Sequence, residues 1–326
     1  MVALYVLLFL VLAVLLASAY CFRLCFYSPK DRREDPYKPL EGEQYASLNE
    51  GIFYCTRRME EAKCRFVDIR AWDGTKLSAR YYHHADGAPL MILFHGYRSM
   101  ALRDSAGGYI LGRKAGFNVL AVDQRAHGRS GGRVITFGVK ERKDCLSWIE
   151  FANRALTFGA PIVISGLSMG AATVLMASDL PLPENVVGIH ADCPYDSPSG
   201  IIRKVGAEAG YPEKLVYPFV WLGAFLFGRF RLDSVDALSC VARSDRPILL
   251  IHGEDDRFVP CQMSRNIAKA NASCRLVTVP DAGHGLCYTV DPKGYERAVY
   301  EFLASLPALK AHMENNEYVA DVLKTL

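Results

Sequence analysis

The 326-residue chain lacks the signatures of several common protein classes. Its ten cysteines form no CxxC pair, so zinc-ribbon and dithiol redox sites are not indicated. It has no internal repeat and no low-complexity linker, which argues against a solenoid or a string of small domains. The glycine-rich stretch at residues 128–132 lacks the spacing of a dinucleotide or phosphate-binding loop. We therefore expect no cofactor and no metal.

A strong charge of either sign is also absent. The chain has 38 Lys and Arg against 35 Asp and Glu, for a net charge of +3. Basic and aromatic residues are scattered rather than interleaved in one patch, so nucleic acid is not a predicted partner. Hydrophobic residues make up 51% of the chain, which is ample for the core of one large α/β domain or two small ones.

Charged side chains are missing from residues 1–22, most of which are Leu, Val, Ala or Phe. About 20 such residues can cross the hydrocarbon core of a membrane as a helix. Four basic residues follow this run: Arg23, Lys30, Arg32 and Arg33. The positive-inside rule then predicts an uncleaved single-pass anchor with the main domain in the cytoplasm. A cleaved signal is the alternative, because residues 17–19 (Ala-Ser-Ala) suit a cleavage site, although the positive n-region is missing.

Beyond the anchor, residues 23–60 are predicted to be a polar stalk and entry segment. Between residues 61 and 306, apolar runs of strand length alternate with helical patterns, which predicts βαβ units and a mainly parallel sheet. Eight runs are strand candidates: 64–70, 76–84, 89–94, 117–122, 161–165, 186–191, 247–252 and 274–279. Residues 307–326 form a tail with no predicted role.

The sequence GLSMG at residues 166–170 follows a β-branched apolar run and precedes a helix-forming one. A serine between two glycines at a strand-to-helix junction is typical of a nucleophile elbow, a strained turn that needs small neighbours. Backbone N–H groups at the start of the helix, notably that of Met169, can stabilise a developing oxyanion. The alternative interpretation is an ordinary glycine-rich turn.

Two further loops follow predicted strands and reach the same edge of a parallel sheet. One loop carries Asp255 and Asp256, and the other carries His284 between two glycines. A histidine can take the proton of Ser168 because its ordinary pKa lies near neutrality. A carboxylate must then hold the imidazole in the correct tautomer. From the residues alone, Asp256, Asp255 and Asp281 are all candidates for that carboxylate.

Together these motifs resemble those of the α/β-hydrolases, in a bacterial branch similar to dienelactone hydrolases and the hydrolase domain of prolyl oligopeptidases. The resemblance covers residues 64–306. Its motifs, in order, are HGY at 95–97, DxRxxGxS at 123–130, GLSMG at 166–170, HGEDDRFVP at 252–260 and GHG at 283–285. It implies an α/β-hydrolase fold, with a mainly parallel eight-stranded sheet flanked by helices.

The resemblance also assigns the residues of a catalytic site. It implies the nucleophile Ser168, the acid Asp256, the base His284, and an oxyanion hole made by the backbone N–H groups of Tyr97 and Met169. It places a small helical cap at about residues 194–243. This insertion is strongly aromatic, which predicts either an acyl-binding or membrane-facing wall above the serine, or simple packing onto the sheet.

The predicted function is that of a serine hydrolase that cleaves carboxylic esters, including acyl-lipid or other acyl substrates, through an acyl-enzyme. Peptide or amide cleavage and acyl transfer use the same triad and stay open, as does a non-catalytic membrane-anchored scaffold. The expected partners are a small-molecule or acyl substrate and, through residues 1–22, the membrane. No oligomeric state is indicated. Asp123 and Arg125 are interpreted as a structural pair.

Overall fold

The computed structural model describes residues 1–29 and 35–324. Three basic residues used to predict the membrane orientation, Lys30, Arg32 and Arg33, lie outside these ranges. The strands are β1 (Arg65–Arg70), β2 (Lys76–Tyr82), β3 (Leu90–Phe94), β4 (Asn118–Asp123), β5 (Ile162–Leu167), β6 (Val186–Asp192), β7 (Ile248–Gly253) and β8 (Cys274–Val279). The α-helices are α1 (Val2–Cys25), α2 (Glu43–Ala46), α3 (Asn49–Glu60), α4 (Ala101–Asp104), α5 (Ala106–Lys114), α6 (Glu141–Ala152), α7 (Met169–Ala177), α8 (Pro198–Glu208), α9 (Glu213–Leu226), α10 (Ala237–Ala242), α11 (Cys261–Ala270), α12 (Cys287–Val290), α13 (Pro292–Ser305), α14 (Lys310–Glu314) and α15 (Glu317–Lys324).

The strands form one sheet in the order β1-β2-β4-β3-β5-β6-β7-β8. β2 is antiparallel to both β1 and β4, and the other neighbouring pairs are parallel. The prediction of a mainly parallel eight-stranded sheet flanked by helices is confirmed. Parallel strands covered on both faces are near-continuous apolar runs, and β3, β4 and β7 are buried along their whole length.

Successive side chains of each strand pack into two cores, one on each face of the sheet. In β3, Ile92 and Phe94 belong to one core, whereas Met91 and Leu93 belong to the other. Helices α6, α7, α10 and α11 contribute to the first core, and α5, α13 and α14 contribute to the second. This alternation follows from the two-residue period of a strand. It leaves the carboxyl ends of β3, β5, β6, β7 and β8 at one edge, where their loops meet.

The insertion between β6 and β7 contains α8, α9 and α10, and it lies where the sequence predicts the cap. The C-terminal tail, for which the sequence predicts no role, forms α14 and α15. Met313 and Val319 from these helices are buried in the second core. The tail is therefore part of the folded domain rather than an appendage.

The predicted stalk, residues 23–60, differs from the expectation where the structure describes it. Phe26 is fully buried, and its ring packs edge-on against the rings of Phe137 and Phe230. Further along, α2 and α3 are helical, and Met59 is buried in the second core. Local polarity predicts an exposed segment, but it carries no information about distant residues that bury part of it.

The predicted pairing of Arg125 with Asp123 is wrong. Its guanidinium makes a bidentate contact with Asp144, at 2.6 Å from Nε to Oδ2 and 2.5 Å from Nη2 to Oδ1. It also donates to Asp73 at 2.9 Å. Asp123 instead accepts from the backbone N–H of Arg129 at 3.0 Å. The buried Arg125–Asp144 pair therefore joins the loop after β4 to α6.

Replacement of Asp144 by Ala would leave the Arg125 charge buried without its bidentate partner. We expect the free energy of unfolding to fall by about 3–5 kcal/mol in urea denaturation. The control is Glu301→Ala, which breaks the half-exposed Arg275–Glu301 pair and should cost less than about 1 kcal/mol. If the free energy of unfolding fell equally in the two variants, burial would not be what makes the Arg125–Asp144 pair important for stability.

Candidate active site

Ser168 lies at the sharp turn that joins β5 to α7. Its backbone has φ 55° and ψ −114°, a conformation that costs an L residue about 1–3 kcal/mol. Glycine is required beside it: a Cβ at Gly170 would lie 2.0 Å from the carbonyl oxygen of Phe94. The backbone N–H of Ser168 donates to the carbonyl of Asp192 at 2.8 Å. The neighbouring strands β3 and β6 therefore fix this turn.

The structure brings His284 and Asp256 to this serine. Ser168 Oγ lies 2.9 Å from His284 Nε2, and His284 Nδ1 lies 2.7 Å from Asp256 Oδ2. With the serine hydroxyl donating to Nε2 and Nδ1–H donating to the carboxylate, the imidazole is in the tautomer that can accept the serine proton. The three side chains come from the loops after β5, β7 and β8.

Several groups hold Asp256 in place. Its Oδ1 accepts from the backbone N–H groups of Phe258 at 2.9 Å and Val259 at 2.7 Å. Its Oδ2 also lies 3.2 Å from His252 Nε2. Burial alone would raise the pKa of Asp256, but hydrogen bonds from His252 and His284 outweigh it and hold this pKa well below its usual range. The carboxylate is therefore ionised at neutral pH.

The two rival carboxylates differ from Asp256 in their exposure to solvent. Asp255 is exposed, whereas the neighbouring Asp256 is buried. Asp281 is also exposed, at a positive φ of 59°. The contact of His284 Nδ1 is with Asp256. The catalytic roles of the three triad residues stay a prediction.

The two backbone N–H groups predicted to form the oxyanion hole belong to residues beside Ser168. Met169 is the first residue of α7, where the N–H groups of the first turn have no carbonyl partner within the helix. Tyr97 lies in the loop after β3. A Cβ built on the preceding Gly96 would be 3.5 Å from the Cβ of Ser168, so this loop passes directly over the serine.

Hydrogen bonds fix the loop on both sides of Tyr97. The backbone N–H of Gly96 donates to Asp104 Oδ2 at 2.9 Å, and that of Arg98 donates to His127 Nε2 at 3.0 Å. The position of Tyr97 is therefore set by the protein itself, which is what preorganised stabilisation of an oxyanion needs.

A cavity of about 260 Å³ opens beside Ser168 and His284. Part of its wall comes from the segment before β1, through Leu40, Tyr45 and Ile52. The hydroxyl of Tyr45 donates to the backbone carbonyl of His284 at 3.0 Å. These residues could not be identified from the sequence, because the segment carries no motif and a contact with a residue 239 positions later leaves no local pattern.

Cys193 lies next to the same residues. Its Sγ and ligand atoms of Asp256 and His284 lie within 4.8 Å of one another, which is a donor set that transition metals use. Burial raises the pKa of Cys193 well above its usual value, which disfavours the thiolate that a metal binds. His284 Nδ1 also already contacts Asp256. This donor set therefore favours proton transfer over metal binding.

Comparison with known families places this arrangement in context. Residues 91–298 match the profile described as the alpha/beta hydrolase family. The chain belongs to the α/β-hydrolase family. The matched range includes Tyr97, Ser168, Asp256 and His284. The family resemblance expected from the motifs is thus confirmed, while the dienelactone-hydrolase branch stays a prediction.

Individual proteins are also similar to this α/β-hydrolase. It is 27% identical to the uncharacterized protein YqkD of Bacillus subtilis over 229 residues. The aligned region covers 69% of this chain and 75% of YqkD. An uncharacterized protein of Mycobacterium tuberculosis is 27% identical over 252 residues, 75% of this chain and 81% of its own. Among solved structures, the Pyrococcus furiosus esterase Pf2001 is similar with a TM-score of 0.62 at 26% identity, covering 77% of this chain and 93% of the esterase.

Substitution of the two neighbouring carboxylates separates their roles in this hydrolase. Asp256→Asn keeps the shape of the side chain but removes its charge and favours the wrong imidazole tautomer. We expect kcat to fall by roughly 10⁴ on one ester at saturating substrate. Asp255→Asn is the matched control and should stay near wild type, because its side chain is exposed. The opposite ranking would refute Asp256 as the partner of His284.

Proposed function

We propose that this α/β-hydrolase is a serine hydrolase that cleaves carboxylic esters through an acyl-enzyme. The observation that carries the proposal is the continuous hydrogen-bonded path from Ser168 through His284 to Asp256, at the edge of a cavity. The similarity to the Pyrococcus furiosus esterase supports ester rather than amide cleavage.

In the first half of the reaction, Ser168 Oγ attacks the ester carbonyl carbon while His284 Nε2 takes its proton. The carbonyl π electrons move to oxygen, and the N–H groups of Tyr97 and Met169 stabilise the negative charge. Asp256 stabilises the imidazolium that forms. The tetrahedral intermediate then collapses: the C–O bond to the alcohol breaks, and His284 gives its proton to the departing oxygen.

In the second half, water replaces the alcohol. His284 Nε2 takes a proton from the water as its oxygen attacks the acyl carbon, and the same two N–H groups stabilise the second oxyanion. The bond to Ser168 Oγ then breaks, and the serine recovers its proton from His284. The products are a carboxylic acid and the restored enzyme.

The size of the cavity bears on the substrate. A volume of about 260 Å³ lies just below the usual range for drug-sized ligands. Its surface is lined by apolar residues such as Leu40, Ile52 and Leu93 as well as by tyrosines. These properties support a compact, mainly apolar acyl or alcohol group next to Ser168.

A fluorophosphonate probe tests the nucleophile. Ser168→Ala should fold normally, lose probe labelling and lose hydrolysis of p-nitrophenyl esters, because it removes the Oγ that contacts His284 Nε2. Ser178→Ala, at the other end of α7, is the control and should keep both signals. Full esterase activity with labelling of another serine in Ser168→Ala would disprove the assignment.

We also propose that α1 is an uncleaved membrane anchor with the hydrolase domain in the cytoplasm. Among the described residues, α1 is the helix that is long and apolar enough to cross a membrane. Only 6% of its most apolar 18-residue stretch is buried. The basic residues that follow it in the sequence support the cytoplasmic side for the domain.

Fractionation and N-terminal mass analysis test the anchor. The intact chain should stay with membranes after carbonate washing and begin at Met1 or Val2. A chain shortened to begin at Ser18 should be released by carbonate washing and stay active, because it loses most of α1 but keeps the buried Phe26. One that begins at residue 30 should unfold more easily, since loss of a buried Phe side chain costs about 3–5 kcal/mol. Mature protein that begins at Tyr20 would instead identify a cleaved signal.

A further inference from the structure

Helix α9 carries an exposed apolar stripe, which we define as Leu215, Pro218, Leu222, Phe225 and Leu226. Spacings of three and four residues place these side chains on one face of the helix. Leu215 is 64% exposed, Phe225 48% and Leu226 41%. No charged residue interrupts the sequence between the first and the last of them. Scattered exposed apolar residues are ordinary, but a contiguous stripe indicates an interaction surface.

Another face of α9 packs directly on α1. A Cβ at Gly223 would lie 2.4 Å from the carbonyl oxygen of Ser18 and 3.1 Å from the Cβ of Phe22, so only glycine allows this approach. Just after α9, the ring centroid of Phe227 lies 5.9 Å from that of Phe22. The exposed stripe is thus continuous with the apolar surface of α1.

The length of α1 determines how deep this contact lies in a membrane. Its residues up to Leu16 are exposed, and Ser18 is its first buried residue. The stretch from Val2 to Leu16 is about 22 Å long at 1.5 Å per residue, whereas the hydrocarbon core is about 30 Å thick. About five more residues of α1 must therefore lie in the core, and these are the residues that begin to contact α9.

We propose that α9 lies in the membrane surface, with its apolar stripe inserted at the boundary between headgroups and acyl chains. This inference rests on the proposed anchor and adds a second membrane contact to it. Amphipathic helices that lie in the interface bury their apolar face by about 5–10 Å. The occupant of the stripe is the bilayer, because the bilayer already surrounds the exposed residues of α1 next to it.

The same arrangement brings the active site close to the membrane. The hydroxyl of Tyr97 donates to the carbonyl of Cys25, the last residue of α1, at 2.7 Å. The loop proposed to form the oxyanion hole thus lies at the membrane-proximal end of the domain. An ester that dissolves in the bilayer would be concentrated near Ser168.

Trp221 provides an internal probe of this contact. It lies in α9, stacked on Phe225 with ring centroids 5.7 Å apart. The full chain is placed in nanodiscs whose phosphatidylcholine is brominated either near the headgroup or near the end of the acyl chain. The emission of Trp221 is obtained as the difference between the wild type and Trp221→Phe. We expect a large loss of this emission with the shallow bromines and a smaller loss with the deep ones.

Two charge substitutions complete the test. Phe225→Asp combined with Leu226→Asp should abolish quenching of Trp221, while α1 keeps the protein in the nanodisc. The matched control is Phe158→Asp, which changes an 82% exposed aromatic residue before β5, at the opposite edge of the sheet. It should leave quenching unchanged.

Several readouts separate the possible failures. Absence of quenching by either lipid, in protein that stays in the nanodisc, would overturn the role of α9 and leave the anchor intact. Cross-linked dimers through α9 without quenching would assign the stripe to a second copy and also overturn the proposal. Protein that leaves the nanodisc would refute the anchor itself. Fluorophosphonate labelling of Ser168 in the same samples reports the hydrolase activity independently and shows that each variant is folded.

Discussion

The strained backbone of Ser168 is the constraint on which the rest of the site depends. At φ 55° this residue keeps its conformation only if its surroundings allow no other. A Cβ at Gly166 would lie 2.3 Å from the carbonyl carbon of Gly170, so the chain can close this turn only with glycine on both sides. The parallel strands beside β5 supply the opposing contacts. The carboxyl ends of the strands thus position the three residues of the proposed triad, whereas loops and the segment before β1 form much of the cavity wall.

A buried hydrogen-bonded chain supports this turn from one face of the sheet. The hydroxyl of Tyr295 donates to Asp192 Oδ2 at 2.8 Å, so it accepts from His190 Nε2–H at 3.2 Å. Nδ1 of the same neutral imidazole then accepts from Ser165 at 2.9 Å. Burial lowers the pKa of His190 to about 4, which keeps this proton arrangement at neutral pH. Because the carbonyl of Asp192 also accepts from the N–H of Ser168, these hydrogen bonds help to fix the position of Ser168.

Sequence patterns could predict features that neighbouring residues form, but not contacts between residues far apart in the chain. The strands and the three loops at their ends follow from short apolar runs and glycine-flanked motifs. The residues alone did not separate Asp256 from Asp255; that choice came from the family resemblance. The contact of Tyr45 with the histidine loop, the burial of Phe26 and the true partners of Arg125 all join segments far apart in the chain. Such contacts depend on how helices pack on the sheet. The spacing of apolar residues in the sequence does not indicate which segments pack together.

The fit between α1 and the domain bears on whether this helix is an anchor or a signal. A secretory signal is removed from the mature protein, so nothing in the mature domain needs to match its surface. Here Gly223 leaves just enough room for the backbone of Ser18, a residue that cleavage after residue 19 would remove. Cleavage would keep the contact of Phe22 with Gly223 but would uncover the part of α9 that Ser18 covers. The complementarity of the two surfaces therefore supports the proposed anchor over a cleaved signal.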